Sequence, residues 1–164
     1  MKCYKKDYPR PQFVRDQWVN LNGRWEFGFD DDNVGEKERW FHEFPEMKKI
    51  NVPFAYETNL SGIEDETVHP YVWYHTKFEI PEPSQKQKLM LHFEGSDFVT
   101  KVWVNGEYAG EHKGGYSRFS FEISNLLKKG TNTLTVKVED SLDPRQPRGK
   151  QRWMPENFGC WYIQ

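Results

Sequence analysis

The sequence contains few of the residues that build helices. Alanine occurs twice in 164 residues and leucine eight times, against 12 phenylalanines, 8 tyrosines, 7 tryptophans and 11 valines. Alanine and leucine are among the best helix formers, whereas aromatic and β-branched residues suit the pleated surface of a sheet. The composition excludes a helical bundle and predicts an all-β domain.

A dominant charge and a long apolar run are also missing. The 23 lysines and arginines nearly balance the 25 aspartates and glutamates, which leaves a net charge of −2. A balanced charge gives no basis for nucleic-acid binding, and the sequence has no run of about 18 apolar residues that could span a bilayer. We therefore expect neither nucleic acid nor a membrane as a partner.

The two cysteines, Cys3 and Cys160, stand at opposite ends of the chain. Two cysteines without a short spacing are typical of free thiols in a reducing compartment. The basic start of the sequence is followed by no apolar stretch, which excludes a secretory signal peptide. These features predict a cytoplasmic location.

Period-two alternation of apolar and polar residues recurs along the chain and predicts strands. The clearest example is Leu134, Val136 and Val138, which alternate with Thr135 and Lys137. Similar alternation occurs in residues 25–29, 73–80, 89–94, 98–104 and 119–123. Each segment has one apolar and one mostly polar face, as expected for antiparallel sheets that pack face to face.

Turn signals separate the predicted strands. Asn105-Gly106 favours a type I′ hairpin, because both residues tolerate positive φ. Residues 122–128 are predicted to hold one helical turn, and the proline-bearing run 41–70 is predicted to be loop. About eight strands joined by crossing loops of this length predict a jelly-roll β-sandwich.

The strand pattern stops after Val138. A basic, proline-containing run over residues 143–152 is followed by an aromatic-rich end. We expect the chain to be a fragment of a longer protein. The predicted organisation is an N-terminal tail (1–12), a jelly-roll domain (13–142), and a late loop that starts a truncated continuation (143–164).

The histidines, glycines and acidic runs that could belong to a metal, dinucleotide or catalytic site are each better explained as structural or surface residues. His69 and His75 lack the spacing of metal ligands and are predicted to be structural or surface residues, so no metal or cofactor is expected. The glycines of the predicted hairpin do not precede a helix, as a dinucleotide site requires. The acidic runs 30–32 and 64–66 are predicted to be solvated loops.

Three loop segments combine aromatic with polar or basic residues: 69–71, 115–118 and 148–153. Aromatic rings that stack on sugars, together with polar groups that bond hydroxyls, suit carbohydrate recognition. The same aromatics also suit a core or an interdomain contact. The residues alone favour the second interpretation and leave the first open.

A series of short strings resembles the opening of glycoside hydrolase family 2 enzymes, in the same order from about residue 13 to the end. The strings are Leu21 to Phe27, Val52 to Phe54 with Glu57-Thr58, Val72 to Tyr74, Leu91 to Gly95, Val102 to Gly106 with Gly110, Phe119 with Phe121, Gly130 to Asn132 before Leu134, and Pro147 to Gln151. The resemblance implies the N-terminal sugar-binding domain, a jelly-roll β-sandwich of the galactose-binding-domain-like type.

In that family, an immunoglobulin-like domain and a TIM barrel with two catalytic glutamates follow. The resemblance therefore implies that the parent protein is an O-glycosyl hydrolase of carbohydrate metabolism, retaining and β-galactosidase-like. This chain would hold no catalytic residue and would be inactive alone. Its partners would be a β-linked sugar and the two absent domains, and a homo-oligomer is left open. A free-standing carbohydrate-binding module and a purely structural scaffold are the alternatives.

The resemblance also suggests site residues. His69 falls where some β-galactosidases place a substrate-contacting asparagine, and Gln151 falls near an aspartate of their late loop, although neither residue type is kept. The candidate substrate-binding residues are His69, Tyr71, Arg148, Lys150, Gln151 and Trp153.

Overall fold

The computed structural model describes residues 17–80 and 88–140, and within these ranges the chain forms eight strands and two 3₁₀ turns. The strands are Gly23–Phe29 (β1), Lys48–Val52 (β2), Tyr71–Glu79 (β3), Met90–Phe93 (β4), Val99–Val104 (β5), Glu107–Lys113 (β6), Phe119–Glu122 (β7) and Thr131–Glu139 (β8). The 3₁₀ turns span Asn59–Ser61 and Ser124–Leu126. The predicted N-terminal tail and late loop, and both cysteines, lie outside the described residues.

Two antiparallel sheets form the domain. The larger sheet has the strand order β2-β1-β3-β8-β5-β6, and β4 pairs with β7 in a second sheet. The main core lies between one face of the large sheet and the β4–β7 pair. The all-β sandwich predicted from the sequence is confirmed.

The alternation seen in the sequence sets which side chains enter the main core. In β3, Val72 and Tyr74 point into it, and in β8, Leu134, Val136 and Val138 do the same; all five are almost fully buried. Residues at every second position share one face of a strand, so the pattern alone identified this face.

The second face of the large sheet is also buried near its centre. Trp73 and Trp103 pack with Trp40 in a separate aromatic cluster, and Thr135 and Lys137 are almost completely covered. The segment between β1 and β2 forms this cover. The mostly polar face predicted from the alternation is therefore an internal surface over the central strands.

The prediction that residues 41–70 form only loops was wrong, because β2 lies within them. Ile50 and Val52 are buried and alternate with exposed or half-buried neighbours. With only two apolar residues at alternate positions, Ile50 and Val52, the segment was too short for its alternation to indicate a strand. The turn predictions are confirmed: Asn105 and Gly106 both have positive φ, 54° and 83°, and one 3₁₀ turn lies in residues 122–128.

Candidate functional site

Several loops meet at one end of the large sheet. Tyr71, Glu139, Val99 and Lys113 are partners in register across β3, β8, β5 and β6. The loops that adjoin these strand ends therefore lie side by side. We call them the loop rim, which comprises residues 30–34, 64–70, 94–98 and 114–118 together with Asp140.

Backbone hydrogen bonds tie neighbouring parts of the rim to one another. The amide donors and carbonyl acceptors are Asp30 to Tyr71 (3.0 Å), Asp140 to Pro70 (3.0 Å), Phe98 to Glu139 (3.2 Å) and Gly114 to Phe98 (2.8 Å). Paired backbone groups of this kind fix the position of loops that carry no regular secondary structure. The rim is thus an ordered surface.

Asp30 anchors the first rim loop. Its carboxylate accepts hydrogen bonds from the indole Nε1 of Trp73 at 2.8 Å and from the backbone amides of Val34 and Gly35 at 2.7 and 3.0 Å. The residue is 3% exposed, so the prediction of a solvated acidic run was wrong at this position. A buried carboxylate requires such partners, and here they draw the loop against β3.

The imidazole ring of His69, a candidate substrate-binding residue, is fixed by contacts with neighbouring side chains of the same domain. Its Nδ1 donates to the Asp31 carboxylate at 2.9 Å, and its Nε2 lies 2.8 Å from the hydroxyl of Thr67. The ring stacks on Phe29 with centroids 3.5 Å apart. Both ring nitrogens are engaged, whereas the Asp31 side chain is 54% exposed. The group that this pair presents to solvent is therefore the Asp31 carboxylate.

Tyr71, the second described candidate, lies on the other face of the sheet. The ammonium group of Lys137 lies over its ring, 4.9 Å from the centroid, and 5.7 Å from the ring of Trp73. His69 instead packs beside Phe29, which adjoins the main core. The structure therefore does not bring His69 and Tyr71 together in one contact surface.

Lys137 belongs to an ionic network that fastens the covering segment to the sheet. Its Nζ donates to Glu36 at 2.7 Å and to the side-chain oxygen of Asn33 at 2.5 Å, and Lys101 also donates to Glu36, at 2.9 Å. Burial raises the pKa of Glu36, but the hydrogen bonds and charges of the two lysines outweigh this and hold it below its usual value. Glu36 is thus charged and doubly paired.

The loop between β6 and β7 presents an aromatic ring to solvent. Tyr116 is 72% exposed, the highest value among the large hydrophobic residues in the described ranges. Its loop is closed by a contact between His112 Nε2 and the Ser117 hydroxyl at 3.0 Å. A Cβ atom on Gly115 would overlap the Asp97 carboxylate, so the backbone approaches Asp97 as only glycine allows.

The remaining four candidates lie outside the described residues: Arg148, Lys150, Gln151 and Trp153. The described chain ends at Asp140, on the rim. Sequence reasoning missed Asp31, because an acidic run after a strand looks like solvated loop. Its position just after the predicted strand 25–29 was the available signal.

The described rim offers hydrogen-bonding groups to a ligand. Within residues 17–80 and 88–140, no three His, Cys, Asp or Glu side chains are grouped so that they could hold a metal ion. The same part of the chain contains no helix that is long and apolar enough to cross a membrane.

Comparison with known proteins places this geometry in a family. Residues 18–150 match the family described as glycosyl hydrolases family 2, sugar binding domain. A β-galactosidase of Thermoanaerobacter pseudethanolicus is 34% identical over 123 residues, which cover 73% of this chain and 15% of that enzyme. A β-glucuronidase of Paenibacillus borealis is 30% identical over 140 residues, covering 83% and 23%.

Comparison of the fold with solved structures indicates the same family. The solved structure of Ruminococcus gnavus β-glucuronidase matches with a TM-score of 0.68 and 28% identity, over 75% of this chain and 21% of that one. The chain spans between 15% and 23% of the length of these relatives. It therefore belongs to glycosyl hydrolases family 2 and comprises the sugar-binding domain of that family.

Proposed function

We propose that the loop rim forms part of the substrate site of a retaining β-glycosidase whose catalytic glutamates lie outside this chain. The observation that carries the proposal is the hydrogen bond from Asp140 to Pro70. It joins Asp140, the last residue of the described range, to Pro70, the residue next to His69. The proposed substrate contacts of the late loop that follows are Arg148, Lys150, Gln151 and Trp153.

On the described part of the rim, Asp31 is the proposed contact for a sugar hydroxyl. An ionised carboxylate is a strong acceptor of hydroxyl hydrogen bonds, and this one is more than half exposed. His69 orients it through the bond from Nδ1. In this role His69 is a positioning residue, and Asp31 touches the sugar.

The charge of the rim favours a neutral sugar. Its carboxyl groups outnumber its basic groups, which are Arg118 and, when protonated, His69. The acids are Asp30, Asp31, Asp32, Glu64, Asp65, Glu66, Glu94, Asp97 and Asp140. Like charges repel over several ångströms in a partly desolvated site. This charge disfavours an anionic sugar at the described part of the rim, and we propose a β-galactoside as the substrate of the parent protein, with the basic contacts Arg148 and Lys150 bonding its hydroxyl groups.

The proposed partners are the immunoglobulin-like domain and the TIM barrel of the parent protein. A free-standing carbohydrate-binding module is not favoured, because the relatives that this chain matches are much longer enzymes. Homo-oligomerisation and a cytoplasmic location stay predictions.

The test uses the parent protein and the 164-residue chain side by side. We expect the parent to hydrolyse nitrophenyl β-galactoside and the chain alone to show no turnover. In the parent, Asp31→Asn should raise KM about tenfold, since a hydrogen bond to a charged group contributes roughly 1.5 kcal/mol or more. The effect on kcat should be small, because the contact is made in the ground state and the transition state alike.

Asp32→Asn is the matched control, since Asp32 is an exposed neighbour on the same loop, and it should leave KM unchanged. An unaltered KM for Asp31→Asn would contradict the proposed contact and favour a purely structural role for the rim. Turnover by the isolated chain would contradict the proposal that the catalytic glutamates lie outside it. A strong preference of the parent for nitrophenyl β-glucuronide would contradict the proposed β-galactoside substrate.

A further inference from the structure

The loop between β6 and β7 holds an aromatic side chain that the proposed substrate contacts do not use. Tyr116 is 72% exposed, and among the described residues no aromatic ring or charged group contacts its ring. It lies in residues 115–118, one of the three segments whose aromatic and polar composition suits carbohydrate recognition. Tyrosine combines a large apolar ring with a polar tip. The loop therefore presents an apolar face on which a ligand can stack.

The backbone of this loop is fixed, although the tyrosine ring contacts nothing. The amide of Gly114 donates to the carbonyl of Phe98 at 2.8 Å. Gly115 packs so closely on Asp97 that a Cβ atom there would overlap the carboxylate. A loop that is ordered before a ligand arrives loses little conformational entropy on binding. The position of the ring is thus prepared by backbone contacts that leave its face open.

Arg118, two residues further along the loop, supplies hydrogen-bond donors. Its guanidinium group lies 3.9 Å from the carboxylate of Glu94, and its side chain is 52% exposed. A guanidinium group carries five N–H donors, so one ion pair at this distance leaves several donors for other acceptors. Sugars are bound by this combination, because the ring stacks on their C–H face while the donors bond their hydroxyl oxygens.

Tyr116 and Asp31 belong to opposite ends of the loop rim. Register pairs align Tyr71 of β3 with Lys113 of β6 through β8 and β5, and the Asp30 amide donates to the Tyr71 carbonyl from the β1 side. The strand order β1-β3-β8-β5-β6 separates β1 from β6 by four inter-strand spacings, which is about 19 Å at about 4.8 Å each. A single sugar ring does not span this distance.

Each end of the rim is held in place by its own contacts. Asp31 is bonded to His69, whose ring stacks on Phe29 of β1. The loop of Tyr116 is bonded to Phe98, the residue before β5. The two side chains therefore stay apart, and a ligand that reaches both must contain several rings.

We propose that Tyr116 is a sugar-stacking residue, whose ring packs on a later ring of an oligosaccharide while the terminal β-galactosyl unit bonds Asp31. Arg118 bonds hydroxyl groups of the stacked ring. The ligand class is a neutral β-galactosyl oligosaccharide of several rings. This role rests on the proposed function, because it requires that the rim faces the substrate.

The experiment measures how strongly sugars of different length compete with nitrophenyl β-galactoside for the parent protein, from initial rates of hydrolysis. The competitors are methyl β-galactoside, which has one ring, and β-1,4-linked galactose chains of two, three and four rings. We expect the four-ring chain to bind at least about tenfold more tightly than the one-ring glycoside, since covering roughly 55 Å² of apolar surface changes a dissociation constant about tenfold.

Three variants locate this gain. Tyr116→Ala should bind the four-ring chain at least about fivefold more weakly than the wild type and leave methyl β-galactoside unchanged. Tyr116→Phe keeps the ring and should bind both sugars like the wild type. Tyr108→Ala is the matched control, since Tyr108 is a 54% exposed tyrosine on β6 outside the rim, and it should retain the gain.

The proposal is overturned if chain length makes no difference to the wild type, or if Tyr116→Ala and the wild type bind the four-ring chain alike. Equal weakening of all competitors by Tyr116→Ala would also overturn it, because that would indicate a residue that packs against another domain. Asp31→Asn separates these results from a failure of the proposed function. It should weaken every competitor alike, and no effect on any of them would contradict the proposed function instead.

Discussion

The buried carboxylate of Asp30 accepts a hydrogen bond from the indole nitrogen of Trp73 at 2.8 Å, between residues 43 positions apart. The bond connects the first loop of the rim to β3, an interior strand of the large sheet. The next residue, Asp31, is thereby placed where it meets His69. The position of an exposed acid on the rim thus depends on a buried acid beside it.

Replacing Asp30 with asparagine should destabilise the domain by about 2 kcal/mol, because hydrogen bonds to a charged group are lost in a buried site. The side-chain nitrogen of asparagine would also face N–H donors, from which it cannot accept a hydrogen bond. Urea unfolding at neutral pH measures the change. Asp32→Asn, on the exposed part of the same loop, should stay within about 0.5 kcal/mol of the wild type. Equal effects of the two variants would contradict the anchoring role.

Glu36 should contribute to stability in a pH-dependent way. Its pKa lies below the ordinary value of 4.5, since Lys137 and Lys101 outweigh the effect of burial. The contribution is present above about pH 4.5 and is lost as the pH falls through the lowered value. Glu36→Gln should therefore be less stable than the wild type at neutral pH and should approach it in acid. Glu43→Gln, an exposed control, should show no such convergence, and a constant difference for Glu36→Gln would contradict the ion-pair explanation.

Trp40 should be the main packing residue of the cover over the second face. It is 8% exposed and its ring centroid lies 5.7 Å from that of Trp73. Trp40→Ala should cost about 3–5 kcal/mol, as truncations of buried aromatic residues do, and should weaken the near-ultraviolet circular dichroism. Tyr116→Ala, at an exposed aromatic position, should change stability by less than about 0.5 kcal/mol. A small effect of Trp40→Ala would show that the cover is not needed for folding.

Asn132 should be a structural residue at the far end of the sandwich. Its side chain is fully buried. The side-chain oxygen accepts hydrogen bonds from the side-chain nitrogen of Asn105 and the backbone amide of Lys128, and the side-chain nitrogen donates to the carbonyls of Lys128 and Gly130. Asn132→Ala leaves these groups unpaired and should cost about 1–3 kcal/mol, measured by thermal unfolding. The exposed Asn59 supplies the control variant Asn59→Ala, and a similar shift for both would refute the assignment.

Local patterns were enough to predict most strands and one hairpin. The alternation at Leu134, Val136 and Val138 identified a strand and its core face, because a strand repeats every two residues. Asn105-Gly106 identified its turn, because both residues accept positive φ. These signals lie within a few residues of the feature that they predict.

Features that depend on distant parts of the chain were not predictable in this way. Lys137 is buried because Glu36, 101 residues earlier, lies over it. The segment that brings Glu36 there has no periodic pattern. His69 precedes β3, so the alternation of that strand gave no indication that its ring and that of Tyr71 lie on different faces.

The length of β8 separates the loop rim from the exposed turn at Lys129. Nine residues of extended strand span about 30 Å. In a chain whose Cys3 and Cys160 are replaced by serine, a cysteine introduced at Lys129 would therefore carry a fluorophore or a surface tether at the opposite end of the domain from Asp31. A chain immobilised through this position would present its rim to solution, which is the orientation that surface-based measurements of sugar binding require.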